Sequence, residues 1–202
     1  VLAFIPARGG SRGIKNKNLV HVGKKPLIEH TLNLVKKLDN ILYPFVSTND
    51  KKIINFSKSK KFKIDYIRPN YLSSSKSNIV DAINHALNWL NNSNLNFKTL
   101  IMLQPTSPLR KPSEIQKALN IFFKKKLKSL VSVTKVREHP YEIIEQNKNS
   151  WKYLKEPTKN SYQRQNFPNN YFFIDGSFYI IDIKTFLKYQ KLVIKNKSNF
   201  FC

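Results

Sequence analysis

Apolar and polar residues follow one another along the chain in blocks that predict strands and helices in turn. Short apolar runs without a helical period predict strands, and apolar residues that recur every three or four positions predict amphipathic helices. The predicted strands cover residues 2–5, 41–47, 64–67, 99–103 and 129–136. The predicted helices cover residues 27–38, 50–60, 78–90 and a stretch that opens at Pro112 and reaches Phe123.

The regular alternation lapses after residue 136. Residues 137–164 carry scattered charges, two prolines, Trp151 and Tyr153, which favours an arm or a β-hairpin inserted into the sheet. Residues 166–182 return to strand character on both sides of a turn predicted at Asp175-Gly176. A short helix over residues 183–189 and a last strand over residues 192–194 complete the pattern.

This order of elements indicates an α/β fold with a mostly parallel sheet and helices on both faces. The near-continuous apolar run at residues 99–103 suits a strand that is covered on both sides. In such sheets ligands bind at the carboxyl ends of the strands. Three segments directly follow a strand, namely the loop after residue 5, Arg68 and the loop at Gln104. The sequence therefore predicts that these three segments converge on one site.

Length and composition narrow the class of protein further. The 202 residues predict one domain, and a hydrophobic content of 41% is enough for a sizeable core. No apolar run approaches the roughly 18 residues of a membrane span, and no secretory signal opens the chain. The only cysteine is Cys202, which excludes an intrachain disulfide and a cluster of thiolate metal ligands. We therefore expect a cytoplasmic protein with no membrane partner.

The net charge of +24 is the most unusual number of the composition. Such a charge invites a nucleic-acid-binding function, but the lysines are spread through every segment among abundant Asn, Ile, Phe and Tyr. Without a localised basic stripe or an aromatic stacking motif, the charge does not predict nucleic-acid binding. It does suit an anionic substrate, which a positive field attracts.

Residues 2–18 are the most informative about chemistry, because a strand there runs directly into a basic, glycine-rich loop. Gly9, Gly10 and Gly13 allow the backbone to pass close to a ligand. Four cations share the loop: Arg8, Arg12, Lys15 and Lys17. Backbone N–H groups and fixed positive charge suit a triphosphate, whose leaving group gains negative charge during transfer. The pattern matches neither a Walker loop nor the dinucleotide motif. The alternative to a phosphate site is a basic surface loop whose glycines only make a turn.

Two longer motifs carry a family resemblance. Residues 5–14 read IPARGGSRGI and are followed by Lys17-Asn18, and residues 103–110 read LQPTSPLR. Both resemble signatures of the CMP-sialic acid synthetases, or acylneuraminate cytidylyltransferases, although that family usually has Lys where Arg12 stands. Weaker matches follow in the family's order: residues 47–50, Arg68-Pro69, Arg164, Phe167-Pro168 and residues 175–180. Together these matches cover nearly the whole chain.

The resemblance implies a Rossmann-like nucleotidyltransferase fold that forms a homodimer through an inserted arm, here residues 137–165. The implied substrates are CTP and a nine-carbon 2-keto sugar acid of the sialic type. The implied products are a CMP-sugar for cell-surface glycans, such as lipopolysaccharide or capsule, and pyrophosphate. Mg²⁺, or Mn²⁺, is the implied cofactor. The anomeric hydroxyl attacks the α-phosphorus in line, so the protein mainly positions the reactants and neutralises charge.

The same resemblance assigns site residues. The nucleotide would be bound by Arg8, Gly9, Gly10, Ser11, Arg12, Lys17, Asn18 and Arg68. The sugar acid would be bound by Gln104, Thr106, Ser107, Arg164, Asp175 and Tyr179. Arg12, Lys17 and Gln104 are expected to act in catalysis. Ordinary structural roles are the alternatives, for example a strand-end cap for Arg68 or a core position for Tyr179. His85 and His139 lack a partner at a recognisable spacing, so neither is expected to be a base.

Two departures from the family pattern affect the expectations. The family usually has Asn where Asp175 stands, and the added charge points to a different nonulosonic acid. The family's Asp-x-Asp metal motif follows a strand like residues 192–194, and the sequence lacks it, so the metal ligands are unknown and we expect a truncated carboxyl terminus.

Two other functions remain as alternatives. One is a different sugar nucleotidyltransferase, such as a 3-deoxy-manno-octulosonate cytidylyltransferase, although that relative has a different loop after its Ala-Arg. The other is a non-catalytic nucleotide- or nucleic-acid-binding protein, which only the charge and the missing motif favour.

Overall fold

The fold is built around a short apolar strand close to the amino terminus. The computed structural model describes residues 1–10, 13–38, 41–159, 163, 165, 167 and 171–202. The first strand, β1, covers Leu2–Pro6, and its first four side chains are fully buried. The other strands are β2 (His21–Val22), β3 (Lys25–Pro26), β4 (Tyr43–Ser47), β5 (Thr99–Met102), β6 (Ser129–Lys135), β7 (Ile144–Asn147), β8 (Ser150–Tyr153), β9 (Phe172–Asp182) and β10 (Ser198–Phe201). The α-helices are α1 (Leu27–Lys36), α2 (Lys51–Ser59), α3 (Ile79–Asn92), α4 (Pro112–Lys124) and α5 (Ile183–Tyr189).

Within the described ranges, six strands form one sheet in the order β10-β6-β9-β5-β1-β4. β1 runs parallel to both of its neighbours, with Phe4 opposite Phe45 of β4 and Met102 of β5. β10 is parallel to β6, whereas β9 is antiparallel to β5. The sheet is therefore mostly parallel, and the predicted α/β class is confirmed.

Helices cover both faces of this sheet, as predicted. Ala3 and Ile5 of β1 belong to a buried cluster that also contains side chains of α1, α2 and α4. Leu2 and Phe4, which point the other way, belong to a second cluster with side chains of α3 and α5. None of the described helices is long and apolar enough to cross a membrane.

The strand predicted at residues 64–67 is wrong. This stretch has no regular secondary structure, and among the described residues it pairs with no strand. It runs beside β4, where Pro44 has no N–H to donate. Ile64 and Tyr66 are buried while Ile67 is 63% exposed, so the alternating pattern reflected burial on one side rather than pairing.

Two further predictions near the carboxyl end are also wrong. Leu192 and Ile194 pack into the α3–α5 cluster rather than forming a strand, and after a turn with Asn196 at φ 62° the last strand is β10. β9 runs through Asp175-Gly176 without the predicted turn. Gly176 has φ 72° inside the strand, a conformation typical of a β-bulge. The Asp-Gly pair therefore marks a local distortion of a continuous strand.

The described chain divides into two compact units. The first comprises Val1–Ser132 and Gly176–Phe201, and the second comprises Val133–Asp175 and Cys202. In the second unit, β7 and β8 form an antiparallel hairpin, and the His139 ring lies 4.8 Å from the Tyr171 ring. The hairpin prediction is confirmed. The predicted arm, residues 137–165, lies within this unit, and its role in a dimer stays a prediction.

Candidate active site

A cavity of about 450 Å³ opens beside the carboxyl ends of β1 and β5, within the first unit. Four segments line it: the loop after β1, Arg68, the start of α3 and the loop after β5. Its walls include Pro6, Arg8, Gly13, Lys17, Asn18, Arg68, Leu72, Ser77, Asn78, Ile79, Gln104, Pro105 and Thr106. The three segments predicted to converge do lie together.

Arg68 is the most buried charged side chain among the described residues of this cavity, with 3% of its surface exposed. Its guanidinium donates one bond to the Ser47 hydroxyl and one to the Ser47 carbonyl, both at 2.9 Å. No described carboxylate pairs with it. Burial lowers the pKa of Arg68 to about 10, so the group still carries its charge at neutral pH. A buried cation with only neutral partners is suited to an anionic ligand.

The amino terminus of α3 adds to the positive character of the cavity. The Asn78 side chain caps this helix by accepting a hydrogen bond from the Val80 N–H at 3.0 Å. Ser77, Asn78 and Ile79 line the cavity, and the first turn of a 14-residue helix carries partial positive charge. Together with the nearby Arg8 and Lys17, this arrangement favours a ligand with several negative charges.

The start of the glycine-rich loop is held by several hydrogen bonds. The Arg8 guanidinium donates to the carbonyls of Ser73, at 3.3 Å, and Ser74. The Arg8 carbonyl accepts a bond from Asn18 at 3.1 Å, and the Gly9 N–H donates to Asn49 Oδ1 at 3.0 Å. Side-chain hydrogen bonds therefore hold this part of the loop in place.

The wall formed by the loop after β5 is less constrained. A methyl group built on Gly176 would lie 3.6 Å from Gln104 Oε1 and 3.8 Å from the Tyr179 hydroxyl, so these three residues lie close together. Among the described residues, the side chains of Gln104 and Thr106 have no hydrogen-bond partner. Both therefore have polar atoms available to a ligand.

Arg110 connects the loop after β5 to two other elements. Its guanidinium donates to the Ser177 carbonyl of β9 at 2.7 Å and to Thr31 Oγ1 of α1 at 2.6 Å. Its Nε is buried and, within the described part of the chain, lacks a hydrogen-bond partner. Burial lowers the pKa of Arg110 to about 10. Arg110 therefore ties the loop after β5 to β9 and to α1.

Eight of the fourteen predicted site residues line this cavity or a neighbouring one. Arg8, Lys17, Asn18, Arg68, Gln104 and Thr106 line the cavity. Gly9 and Gly10 line a neighbouring cavity of about 400 Å³ together with Asn49, Asp50, Asn70, Ser73 and Ser74.

Other predicted residues lie outside the cavity wall or outside the described residues. Ser107 donates its N–H to the Gln104 carbonyl in a turn and does not line the cavity. Tyr179 stands beside Gly176, and Asp175 belongs to the second unit. Ser11, Arg12 and Arg164 lie outside the described residues. The individual roles of all these residues stay predictions.

Sequence reasoning assigned no role to three residues that organise the site. Ser47 binds Arg68, Asn49 binds Gly9, and Arg110 joins three elements. Ser47 and Asn49 lie where β4 passes into α2, a strand end on the same edge of the sheet as the loop after β1. Ser47 ends the strand predicted at residues 41–47 and Asn49 follows it, and this position at a strand end was a usable signal. No sequence signal pointed to the partners of Arg110.

The described residues do not fit the expected magnesium site. Mg²⁺ prefers carboxylate and water oxygens, and none of the described residues lining the cavity is acidic. Nor do the described residues contain a cluster of three or more His, Cys, Asp or Glu side chains able to hold a metal ion.

An α/β sheet with a basic cavity at the carboxyl ends of its strands is typical of proteins that bind phosphorylated ligands. The chain belongs to the cytidylyltransferase family, whose model matches residues 2–193. This confirms the family resemblance that the motifs predicted.

Named relatives come from several bacteria. The chain is 32% identical over 140 residues to a CMP-N,N'-diacetyllegionaminic acid synthase of Legionella pneumophila, a match that covers 69% of the chain and 60% of that protein. It is 30% identical to an N-acylneuraminate cytidylyltransferase of Escherichia coli, over 71% of the chain and 33% of that protein. It is 24% identical to a pseudaminic acid cytidylyltransferase of Campylobacter jejuni, over 99% of the chain and 85% of that protein. The chain thus spans less than two thirds of the first two relatives.

Solved structures share the fold. A CMP:2-keto-3-deoxy-manno-octonic acid synthetase complexed with CTP superposes with a TM-score of 0.68 at 16% identity, over 97% of this chain and 80% of that one. A 4-diphosphocytidyl-2C-methyl-D-erythritol synthase from Anaerococcus prevotii superposes with a TM-score of 0.63 at 14% identity, over 99% and 85% of the two chains. At these identities the comparison establishes the nucleotidyltransferase fold.

Proposed function

We propose that the protein transfers CMP from CTP to the anomeric hydroxyl of a nonulosonic acid and releases pyrophosphate. Membership of the cytidylyltransferase family supports the nucleotide, and the printed names of the relatives support the class of sugar acid. The observation that carries the proposal is the buried Arg68 guanidinium, which lacks a described carboxylate partner and faces a basic cavity.

In this reaction the hydroxyl oxygen of the sugar forms a bond to the α-phosphorus of CTP. The bond between that phosphorus and the oxygen bridging to the β-phosphate breaks, and pyrophosphate leaves with the electron pair. The hydroxyl proton is lost as the new bond forms. Little covalent chemistry is asked of the protein, so positioning and charge neutralisation supply most of the rate enhancement.

The two walls of the cavity suit the two substrates. On the nucleotide side, Arg8, Lys17 and Arg68 supply positive charge where a triphosphate and its leaving group carry negative charge. On the acceptor side, Gln104 and Thr106 offer hydrogen-bonding groups to hydroxyls and amides of the sugar acid, with Tyr179 beside Gln104. The predicted contributions of Ser11, Arg12, Ser107, Arg164 and Asp175 belong to the same proposal.

The direct test is pyrophosphate release with CTP and a panel of acids that contains sialic, legionaminic and pseudaminic acids and the eight-carbon 3-deoxy-manno-octulosonic acid. We expect turnover with one nine-carbon acid and a preference for CTP over ATP, GTP and UTP. Turnover only with the eight-carbon acid would replace the proposed acceptor. Binding of random DNA as strongly as CTP, with no turnover, would favour the non-catalytic alternative.

The remaining expectations are proposals from the family resemblance. A requirement for Mg²⁺ or Mn²⁺ is tested by adding each ion back after treatment with EDTA. A homodimer is supported by exposed apolar side chains in the second unit, including Trp151 at 58% and Phe173 at 62%, and is tested by light scattering. A cytoplasmic location and a role in lipopolysaccharide or capsule synthesis complete the proposal.

A further inference from the structure

Asn49 joins two segments that are far apart in the sequence. Its Oδ1 accepts a hydrogen bond from the Gly9 N–H at 3.0 Å, and its Nδ2 donates to Asn70 Oδ1 at 3.1 Å. One side chain thus links the glycine-rich loop to the turn at residues 70–74. The sequence predicts that the Gly9 N–H binds a phosphate, and in this structure that N–H donates to Asn49.

Burial and hydrogen bonds hold the residues on both sides of Asn49. Thr48 is fully buried, and its hydroxyl accepts a bond from the Asp50 N–H at 3.1 Å. Asp50 caps α2 by accepting from the Lys52 N–H at 2.7 Å, and the Arg68 N–H donates to the Thr48 carbonyl at 2.8 Å. Asn49 therefore lies between the end of β4, an edge strand paired with β1, and the capped start of α2.

The glycine-rich loop packs closely against Asn49 and Asp50. A Cβ on Gly9 would lie only 3.2 Å from both Cβ and Oδ2 of Asp50, so a glycine lets the loop come this near. One residue earlier, Arg8 donates to the carbonyls of Ser73 and Ser74. The loop and the turn at residues 70–74 are thus joined twice, once through Asn49 and once through Arg8.

We infer that Asn49 is a positioning residue that sets the glycine-rich loop, and with it Arg8, in the conformation that receives the triphosphate. The inference rests on the proposed function, because it assigns the β- and γ-phosphates of CTP to this loop. Asn49 acts through the loop rather than by contact with the substrate. Its loss should therefore weaken ligands that reach the loop and spare ligands that do not.

The test compares CTP with CMP, which lacks the β- and γ-phosphates. Dissociation constants of both are measured by calorimetry for the parent, for Asn49→Ala and for Asn70→Ala, which removes only the second bond. Asn91→Ala, an exposed change of the same type on α3, is the matched control. Thermal unfolding of each variant identifies any that fail to fold.

We expect Asn49→Ala to bind CTP roughly ten-fold more weakly, the loss typical of one or two hydrogen bonds. CMP binding should change by less than about two-fold, and Asn70→Ala should show a smaller loss that is again confined to CTP. Parent-like CTP affinity in Asn49→Ala, or equal losses for CTP and CMP, would overturn the inference. So would a loss in Asn49→Ala that Asn70→Ala does not share. A parent chain that binds no CTP would overturn the proposed function itself, which is a different result.

Discussion

The two walls of the cavity differ in how completely the protein satisfies their polar groups. On the nucleotide side, Arg8 and Arg68 are held by hydrogen bonds to other segments, and Asn18 donates to the Arg8 carbonyl within the same loop. On the acceptor side, the side chains of Gln104 and Thr106 have no partner among the described residues. A wall that is fixed before binding suits a ligand of constant shape, such as a triphosphate. On the other wall, the side chains of Gln104 and Thr106 can bind an acceptor whose polar substituents match their positions.

The largest effect should come from removing the buried charge of the nucleotide side. Arg68→Met keeps the apolar stem and the volume but removes the guanidinium, so we expect roughly 100-fold weaker CTP binding, as for a lost charge-assisted bond. Calorimetry measures it, with thermal unfolding as the check on folding. Exposed Arg137→Met is the matched control. A change of less than three-fold would show that Arg68 serves only to hold the end of β4 at Ser47.

A conservative change at the same position should make binding depend on pH. Burial lowers the pKa of Arg68 to about 10, so the parent keeps this charge throughout the neutral range. A lysine starts from an ordinary pKa of about 10.4, and the same burial should bring it towards neutrality. The protonated form binds the anion, so CTP affinity of Arg68→Lys should fall as the pH rises, by up to about ten-fold per unit.

The check on this prediction is a series of CTP titrations between pH 6.5 and 9, in which the parent supplies the control for ionisation of the nucleotide itself. Parallel pH profiles of the parent and Arg68→Lys would contradict it, since they would mean that the site keeps the lysine charged.

A change on the acceptor side should affect the sugar acid alone. Gln104→Ala removes an amide that has no described protein partner, so the fold loses little, and we expect kcat/KM for the acid to fall roughly five- to ten-fold. The Kd for CTP should stay within two-fold of the parent. Steady-state kinetics with the acid varied, together with CTP titration, separates the two. Equal losses of CTP affinity and of kcat/KM for the acid would contradict the assignment of one wall to each substrate.

The smallest effect should come from the brace behind the acceptor side. In Arg110→Lys, a single ammonium cannot reach Ser177 and Thr31 as the guanidinium fork does. We expect the KM for the acid to rise about three-fold with CTP binding unchanged, because a weakened brace loosens β9 near Gly176. Kinetics on both substrates provides the measurement, and Arg137→Lys is the control. If only CTP binding became weaker, Arg110 would support the nucleotide side of the cavity rather than the acceptor side.

Local signals in the sequence pointed to the wall formed by the loop after β1. Glycines and cations directly after the strand at residues 2–5 are local signals, and a triphosphate requires both. The convergence of Arg68 and Gln104 on the same edge followed from the geometry of parallel sheets. The contacts of Arg110 join residues separated by 67 and 79 positions, and no local pattern contains that information.

The errors in the fold have one origin. The core buries Ile64, Tyr66, Leu192 and Ile194, and the same residue types also form strands. The pattern of apolar residues indicates which side chains are buried. Strand pairing also depends on the backbone of the neighbouring strand, and Pro44 of β4 has no N–H to donate. The sequence predicts a turn at Asp175-Gly176 because the dipeptide favours positive φ, and a bulge inside a strand uses the same property.

The positive φ of Gly176 also has a consequence for engineering. Space for a methyl group exists there, since its nearest neighbours would be 3.6 and 3.8 Å away, but an L-amino acid side chain is strained at φ 72°. The gap beside Gln104 is thus kept open by backbone stereochemistry rather than by crowding. Variant libraries that alter this wall should therefore keep Gly176 and randomise the side chains around it.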